Sequence, residues 1–226
     1  HTSCLKHIVE ATCKAEYLNI KNGKGESAGH MSIMCNSTTA IETLIATKQL
    51  KTTISSTDGC TMMHLACIKG KHNHLEILLK NKFETNVTME DGQTPLHCAC
   101  RHGHSKSIEL LFDQINNDLV LVCRDSKGDT PLHKLEESKL DDEAIINVLK
   151  KLDKEAIKSI LVLNDAGKIP FSDKPDIIKA LELDIQPIPN DKPCLEIQLA
   201  SDIHLEVGHE DLDALIKPKA KYLALI

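Results

Sequence analysis

The chain has 226 residues, enough for one or two domains, and its 27 basic and 33 acidic side chains give a net charge of −6. This net negative charge does not predict the basic surface that nucleic-acid-binding proteins use. No apolar run approaches the length of a membrane-spanning helix. Aromatic residues make up 2% of the chain and tryptophan is absent, so a core of Leu, Ile, Ala and Cys is expected, which favours close-packed helices.

The amino end begins at His1 rather than at a methionine and shows no secretory pattern, so we interpret the sequence as part of a longer protein. Residues 4–21 have the character of the closing helix of a repeat unit. We therefore assign residues 1–21 to a partial unit and expect at least one further unit upstream of His1.

A short motif recurs along the chain from residue 24 onward. Its copies lie at residues 24–30, 58–67, 91–100 and 127–133, with a worn copy at 165–171. The histidines of the first four copies are separated by 34, 33 and 36 residues; they are His30, His64, His97 and His133. A fixed period of this length is typical of tandem repeats that stack on one another.

The second half of each unit is also repeated. An apolar residue followed by glutamate comes eleven residues after each of the first three histidines, at 41–42, 75–76 and 108–109. Apolar residues around these pairs recur at helical spacing and form one face. Gly70 and Gly103 fall between two such segments, where a left-handed residue ends a first helix. Each unit is thus predicted to be a pair of short helices.

The period and the Thr94-Pro95-Leu96-His97 box resemble ankyrin repeats. The resemblance covers residues 1–183 and implies a mainly α fold, a helical solenoid in which each unit needs its neighbours to bury its apolar face. Beside the partial unit at 1–21, we number the units one to five; they span 24–50, 58–82, 91–116, 127–153 and, in degenerate form, 165–183.

The box residues have structural roles. Threonine caps the first helix of a unit, and proline occupies its first position. The resemblance implies that the box histidine bonds to this threonine and to the next unit. The box comprises Thr61, His64, Thr94, Pro95, Leu96, His97, Thr130, Pro131, Leu132 and His133.

Two units depart from this pattern. Unit one has Ala28 where the proline belongs. Unit four has Leu135 in place of a small alanine, Lys139 in place of the inter-helix glycine, and an extra residue before Ile145. We expect unit four to be distorted or looser.

Histidine and cysteine are close together at residues 64–74 and 97–104, a spacing that zinc sites also use. The repeat explains these residues better, because His64 and His97 belong to the box and Cys67 and Cys100 occupy small core positions. The chain has nine cysteines at irregular spacing, an odd number that argues against a disulfide framework. Reduced cysteines fit a cytoplasmic protein best.

The resemblance places the partner-binding surface on the hairpin tips and first helices, which line a concave groove in ankyrin proteins. Another protein is the expected partner, with neither nucleic acid nor membrane. The candidate tip residues are Ser56, Thr57, Thr88, Met89, Glu90, Asp125 and Ser126. For any one of them, a solvated loop residue is the simpler interpretation.

Helical periodicity fades after residue 181. Three prolines within residues 184–193 predict an extended linker. Residues 195–200 then alternate apolar and polar and predict a β-strand, and residues 222–226 have the pattern of a second, buried strand. Asp202 and His204 follow the first strand and project from one face of an extended chain, an arrangement that suits a divalent transition metal.

The run at 197–206 together with residues 222–226 resembles the start of a calcineurin-like metallophosphoesterase domain. The resemblance covers residues 194–226, which correspond to the first two strands of an α/β domain that is incomplete here. It implies that Asp202 and His204 are ligands to the first of two divalent metal ions. The family's next motif, Gly-Asp, is expected directly after Ile226. We expect no activity from residues 1–226 themselves.

Two functions therefore stand side by side. One is a protein-interaction module attached to a metal-dependent phosphoesterase, with two metals in the complete hydrolase domain. The alternative is a scaffold of repeats without enzymatic activity. The repeats themselves need no cofactor.

Overall fold

The computed structural model describes residues 15–114, 119–152, 157 and 161–181. These residues are mainly helical, and the only extended pairing among them is an isolated bridge between Ser55 and Thr61. The helices of the described residues are α1 Ala15–Leu18, α2 Ala28–Met34, α3 Thr38–Ala46, α4 Met62–Ile68, α5 His72–Lys80, α6 Pro95–Arg101, α7 Ser105–Gln114, α8 Leu119–Val122, α9 Pro131–Glu136, α10 Asp142–Leu149 and α11 Pro175–Ala180.

The chain divides into two units of structure, residues 1–183 and 184–226. All the described residues belong to the first of them. The predicted linker at 184–193, the β segment and the metal ligands within 194–226 lie outside the described residues.

A residue with extended backbone directly precedes each first helix; it is Ser27, Thr61, Thr94 or Thr130. In all four helices this residue forms a capping box with the histidine three positions later. A hydroxyl at this position accepts from backbone amides that have no partner inside the helix. In α6 the Thr94 hydroxyl accepts from the His97 N–H at 3.4 Å.

The ends of the first helices are also as predicted. Gly70 and Gly103 follow α4 and α6 with φ of +61° and +67°, the left-handed conformation that costs glycine little. In unit one this conformation is adopted by Asn36, with φ of +54°. Each of these residues lets the chain turn into the second helix of its unit.

The helices pack in two rows. First helices contact first helices, α2 with α4, α4 with α6 and α6 with α9, while second helices form the row α3, α5, α7, α10 and α11. The packed side chains are almost wholly inaccessible: Met63, Leu96 and Leu132 are each 1% exposed, and Leu75 and Ile108 are 0% exposed. Burying such a side chain stabilises the fold by about 1.5–3 kcal/mol, and much of that burial comes from the neighbouring unit.

Unit four is distorted in one place. Residues 137–141 connect α9 to α10, two more than the three residues that connect the helices of units one to three. None of these five residues has a positive φ. Lys139 therefore lies in a longer connection that does not need glycine. Leu135 is 0% exposed, so the core accommodates the larger side chain.

The box histidines join consecutive units. The Nδ1 atom of each ring accepts from the backbone N–H three positions earlier, at 3.1–3.3 Å. The proton must therefore lie on Nε2, which donates to a backbone carbonyl of the next unit. The donor–acceptor pairs are His30 to Cys60 at 3.0 Å, His64 to Gln93 at 3.0 Å, His97 to Asp129 at 3.0 Å and His133 to Lys168 at 2.9 Å.

Burial keeps three of these rings neutral, those of His30, His64 and His97. It lowers the pKa of His64 to about 4, although the hydrogen bond to the Gln93 carbonyl acts in the opposite direction. Burial likewise lowers the pKa of His30 and His97. A neutral ring with one donor and one acceptor is the state that this hydrogen-bond pattern requires.

We predict that acidification destabilises the repeats. Unfolded histidine takes up a proton near pH 6.5 but folded His64 only near pH 4, so the unfolded chain binds more protons between these values. Above pH 6.5 each such histidine makes its full contribution to the free energy of unfolding. Below pH 6.5 that free energy decreases by up to about 1.4 kcal/mol per pH unit for each such histidine. Urea unfolding at neutral pH and near pH 5 measures this loss.

The variant His64→Gln tests the assignment to one ring. At neutral pH it should lower the free energy of unfolding by about 1–3 kcal/mol, because it removes a buried hydrogen bond between units. Its stability should also depend less steeply on pH than that of the wild type. An unchanged pH dependence would contradict the assignment.

Candidate functional site

Hairpin turns of one geometry precede the units. The first residue of each turn donates its N–H to the carbonyl four positions later, and a glycine at the fourth position donates to the first carbonyl. The turns span residues 22–26, 56–60, 89–93, 125–129 and 164–168. The glycines at the fourth position have a φ between +72° and +78°. The worn copy at 165–171 thus retains the turn although it lacks the box threonine and histidine.

Side chains brace three of the turns from within. Asn22, Asp125 and Asn164 occupy the first turn position, and each accepts through Oδ1 from the N–H groups two and four residues later, at 2.9–3.0 Å. Asn and Asp are common at such positions because their side chains can accept hydrogen bonds from the backbone of the turn. These loops are therefore fixed before any partner arrives.

Neighbouring turns are bonded to one another. The N–H groups of Thr57, Glu90 and Ser126 donate to carbonyls of the preceding turn at 3.3, 3.2 and 2.8 Å. The backbones approach closely because the turns contain glycine. A Cβ atom on Gly92 would lie 3.1 Å from the Cα of Asp125.

The hydrogen bonds within the turns and those from the box histidines share the same acceptor oxygen atoms. The Gln93 carbonyl, for example, accepts from Met89 N–H at 2.9 Å within its turn and from His64 Nε2 at 3.0 Å. The carbonyls of Cys60, Asp129 and Lys168 receive the same two kinds of donor. Each buried histidine therefore holds the next turn in position.

The predicted tip residues differ in exposure. Thr57, Thr88, Glu90 and Ser126 are exposed, and Ser56 and Met89 are half-buried. The Ser56 hydroxyl is engaged inside its own turn, with the Asp58 carboxylate and the Cys60 carbonyl. Thr57, Glu90 and Ser126 lie on three successive turns, Thr88 directly precedes the second of them, and all four side chains are available to a partner.

Asp125 occupies a different environment from the other tip residues. Its side chain is 3% exposed and forms an ion pair with Lys134 Nζ at 2.9 Å. Lys134, whose side chain is 5% exposed, also contacts Asp129 Oδ2 at 2.5 Å, and Asn164 Nδ2 donates to Asp129 Oδ1 at 2.6 Å. The Asp125 carboxylate is therefore engaged within the protein. Of the two predicted tip residues on this turn, Ser126 is the one that is exposed to a partner.

The pKa values in this buried cluster follow from its bonds. Burial acts against both charged groups, but the hydrogen bonds from Lys134 and Asn164 hold the pKa of Asp129 below its usual value. The bonds to Asp129 and Asp125 raise the pKa of Lys134 despite its burial. The cluster stays ionised and ties the turn of unit four to the turn at 164–168.

Sequence reasoning missed this cluster, although a signal for it was present. Lys134 follows the box histidine directly, where units two and three have Leu65 and Cys98, which are 8% and 2% exposed. A charged residue at a core position of a repeat requires an opposite charge nearby. Asp125 and Asp129 in the adjoining turn provide it.

The first helix of unit one presents apolar side chains to solvent. Met31 and Met34 are 41% and 46% exposed, whereas Leu65, which corresponds to Met31 in unit two, is 8% exposed. Exposed apolar side chains are typical of a protein-binding surface.

The histidine and cysteine clusters have structural roles in the described residues. His64 and His97 bond between units, and the His102 and His104 rings stack with centroids 6.1 Å apart. Burial raises the pKa of Cys98 to about 12, so its thiol stays protonated at neutral pH. No group of three or more His, Cys, Asp or Glu side chains arranged to hold a metal occurs in the described part of the chain.

The helices of the described ranges are all too short or too polar to cross a bilayer.

Comparison with known proteins agrees with the repeat architecture. A family model for ankyrin repeats, in three copies, matches residues 1–89 and 75–157. A search among curated proteins gave no match. The match extends over most of the region whose motifs resemble ankyrin repeats, and the ankyrin prediction is confirmed there.

The close approach of the turns predicts the effect of Gly92→Ala. The new Cβ would meet the backbone of the next turn and would force a strained φ of +78° on alanine. Gly167→Ala imposes a similar φ of +73° but meets nothing within 4 Å, so it controls for backbone strain alone. Urea unfolding should show Gly92→Ala to be less stable than Gly167→Ala by about 1 kcal/mol or more. Equal losses would show that the turns do not constrain one another.

Proposed function

The chain belongs to the ankyrin-repeat family, and we propose that its repeats bind another protein. Repeats of this family generally mediate protein–protein interaction. The observation that carries the proposal is the row of hairpin turns joined by backbone hydrogen bonds. The exposed residues Thr57, Thr88, Glu90 and Ser126 lie along this row.

The rigidity of these turns supports binding energetically. A loop that is already ordered loses little conformational freedom when a partner docks, so more of the contact energy contributes to affinity. The turns at 56–60, 89–93 and 125–129 belong to consecutive units, so side chains from all three can contact one partner surface. Met31 and Met34 add exposed apolar area on the first helix of unit one.

The proposed contact set consists of the exposed tip residues together with these methionines. Met89 contributes the accessible part of its side chain, while Ser56 and Asp125 act indirectly by fixing the turns. The first helices and the tips together form the proposed concave groove.

A charge-changing variant of the tips tests the proposal. In Thr57→Arg/Glu90→Arg/Ser126→Arg, all three substituted residues are exposed, so the fold should be retained. The matched control Glu42→Arg/Gln114→Arg/Asn147→Arg makes the same total change in charge at exposed positions of second helices. Proteins that co-purify with the wild-type chain are identified by quantitative mass spectrometry, and affinities are then measured with the purified partner.

We expect the tip variant to weaken binding at least about tenfold, corresponding to about 1.4 kcal/mol, and the control to bind normally. Equal affinity of all three proteins would exclude the tips as the binding surface. Equal weakening by both variants would indicate a general effect of charge and would also contradict the proposal.

We also propose that residues 194–226 begin a metal-dependent phosphoesterase domain. The support is the sequence pattern alone: a strand-like segment that ends in Asp202 and His204, followed by a second strand-like segment at 222–226. When complete, such a domain uses two divalent ions to activate water and to bind the phosphate oxygens. The repeats would then recruit a protein to the hydrolase.

The complete gene product provides the test. With Mn²⁺ present, it should hydrolyse a phosphodiester or phosphomonoester substrate, and Asp202→Ala or His204→Ala should reduce the rate by about a hundredfold or more. Asp213→Ala, at a nearby carboxylate outside the motif, is the control and should retain activity. Absence of metal-dependent activity in the wild-type product would leave the scaffold alternative.

A further inference from the structure

The first hairpin turn contains an asparagine that is followed by glycine. Asn22 and Gly23 begin the turn at residues 22–26, and they are the only Asn-Gly pair in the 226-residue sequence. Both residues are exposed. The backbone nitrogen after an asparagine can attack the side-chain amide carbon, and glycine allows this approach best because it has no Cβ. The pair is therefore a candidate for chemical modification without an enzyme.

The nitrogen that would attack is not engaged. In the part of the chain that the structure describes, the N–H of Gly23 donates to no acceptor. The amide after Asn36, by contrast, donates to the Ser32 carbonyl at 2.9 Å. The amide after Asn81 donates to the Leu79 carbonyl at 3.0 Å. Those two amides must lose a hydrogen bond before they can react, whereas that of Gly23 need not.

The Asn22 side chain is folded back over the turn. Its Oδ1 atom accepts from the N–H groups of Lys24 and Glu26, each at 2.9 Å. The bond to Lys24 closes a ring that includes the backbone of Gly23, so the side chain stays close to the nitrogen of that residue. Two donors on the amide oxygen also stabilise the negative charge that it gains when its carbon is attacked.

The nitrogen that would leave lies beside a carboxylate. Asn22 Nδ2 donates to Glu26 Oε2 at 2.9 Å, and a negative charge there favours the protonated form in which this nitrogen leaves. Asn164 makes the same Oδ1 bonds in the last turn, but it precedes Asp165 and is half-buried. Its Nδ2 atom donates to Asp129, a residue of the cluster that ties two turns together. Asn164 is thus a comparison within the same chain.

We propose that Asn22 is a site of self-modification in the folded protein. The Gly23 nitrogen bonds to Asn22 Cγ and gives up its proton, while the Cγ–Nδ2 bond breaks and Nδ2 leaves with that proton as ammonia. Water then opens the cyclic imide. Attack at Cγ gives aspartate, and attack at the backbone carbonyl carbon of Asn22 gives isoaspartate. Each product has gained water and lost ammonia, and neither step is a redox reaction.

The two products differ in their effect on the turn. Aspartate can accept the same two backbone N–H groups through Oδ1, as Asp125 does at the equivalent position. Isoaspartate adds a methylene group to the backbone, so the donors and the acceptor no longer align. The N–H and the hydroxyl of Thr57 both donate to the Lys24 carbonyl at 3.3 Å. Isoaspartate should therefore release Thr57 from the preceding turn, although the reaction itself does not depend on the proposed partner.

Peptide mapping of the full chain tests the modification. The folded protein is incubated at mildly alkaline pH, which favours the loss of a proton from the attacking nitrogen, and samples taken over time are digested and analysed by mass spectrometry. We expect Asn22 to be replaced by aspartate and isoaspartate, while Asn36, Asn81 and Asn164 persist. Persistence of Asn22, or equal loss at all four asparagines, would overturn the proposal.

The variant Gly23→Ala tests the attacking nitrogen. The φ of Gly23 is not left-handed and an added Cβ meets nothing within 4 Å, so the fold should be retained. The reaction at Asn22 should slow at least about tenfold, because the methyl group hinders the approach of the nitrogen. Lys21→Ala, on the other side of Asn22, is the control and should react at the wild-type rate. Equal rates in Gly23→Ala and the wild type would overturn the proposal.

Hydrogen exchange measures the effect on the neighbouring turn. The isoaspartate form is separated from incubated protein by chromatography and compared with fresh protein. We expect the Thr57 amide to exchange at least about tenfold faster in the isoaspartate form. The Glu90 amide, which donates to the Asp58 carbonyl at 3.2 Å in the next pair of turns, should be unchanged. Unchanged exchange at Thr57 would contradict the release of this turn.

A double variant represents the aspartate product. Asn22→Asp/Glu26→Gln keeps an amide beside a carboxylate with their positions exchanged, so a hydrogen bond between the two side chains can still form. Exchange at the Thr57 amide should equal that of fresh wild-type protein and should not change during incubation. Faster exchange in this variant would show that a carboxylate at position 22 is enough to open the turn. The proposed difference between the two products would then be wrong.

Discussion

In four of the five hairpin turns of the described residues, the carbonyl that closes the turn accepts two hydrogen bonds, one from within the turn and one from a histidine ring of the preceding unit. At Gln93 these bonds come from Met89 N–H and His64 Nε2. The contact is possible only when the ring is neutral and protonated on Nε2, a state that burial favours. Because a box histidine reaches from each of the first four units to the following turn, this contact sets the spacing of the units and the position of every following turn.

This arrangement connects the buried core to the exposed surface. Apolar side chains such as Leu96 and Leu132 hold the first helices together. The histidines on these helices then fix the positions of the turns through their hydrogen bonds. The exposed residues of the turns can therefore differ without loss of the fold, because the hydrogen bonds between turns are made by the backbone and not by these side chains. A stable row of tips with variable side chains suits the recognition of a protein surface.

Most of the fold followed from the sequence because its signals are local and repeated. Threonine before a helix, proline at its first position and glycine after it each act within a few residues, so the period revealed the units. Unit four needed more than local reasoning. The substitution of Lys139 for glycine predicted distortion, and the structure resolves it by lengthening the connection to residues 137–141.

The candidate surfaces were less predictable because they depend on contacts between distant residues. Asp125 and Ser126 are adjacent in sequence and equally polar, yet Lys134 and the turn backbone engage the first and leave the second exposed. The surroundings of His74 likewise depend on the fold, because the ring packs near Ser32 and Ser37 of another unit. A sequence pattern shows which residues occupy a position, but not what surrounds their side chains.

The stacking of units is tested most directly by Leu96→Asp in the full chain. Leu96 is 1% exposed on α6, which packs against α4 on one side and α9 on the other. Placing a charge there should cost about 4 kcal/mol or more and should unfold residues 58–149 together. Circular dichroism during thermal melting should show this as a single large loss of helix at a lowered temperature. A melting curve unchanged from the wild type would contradict the account, because Leu96 would then not be packed between neighbouring units.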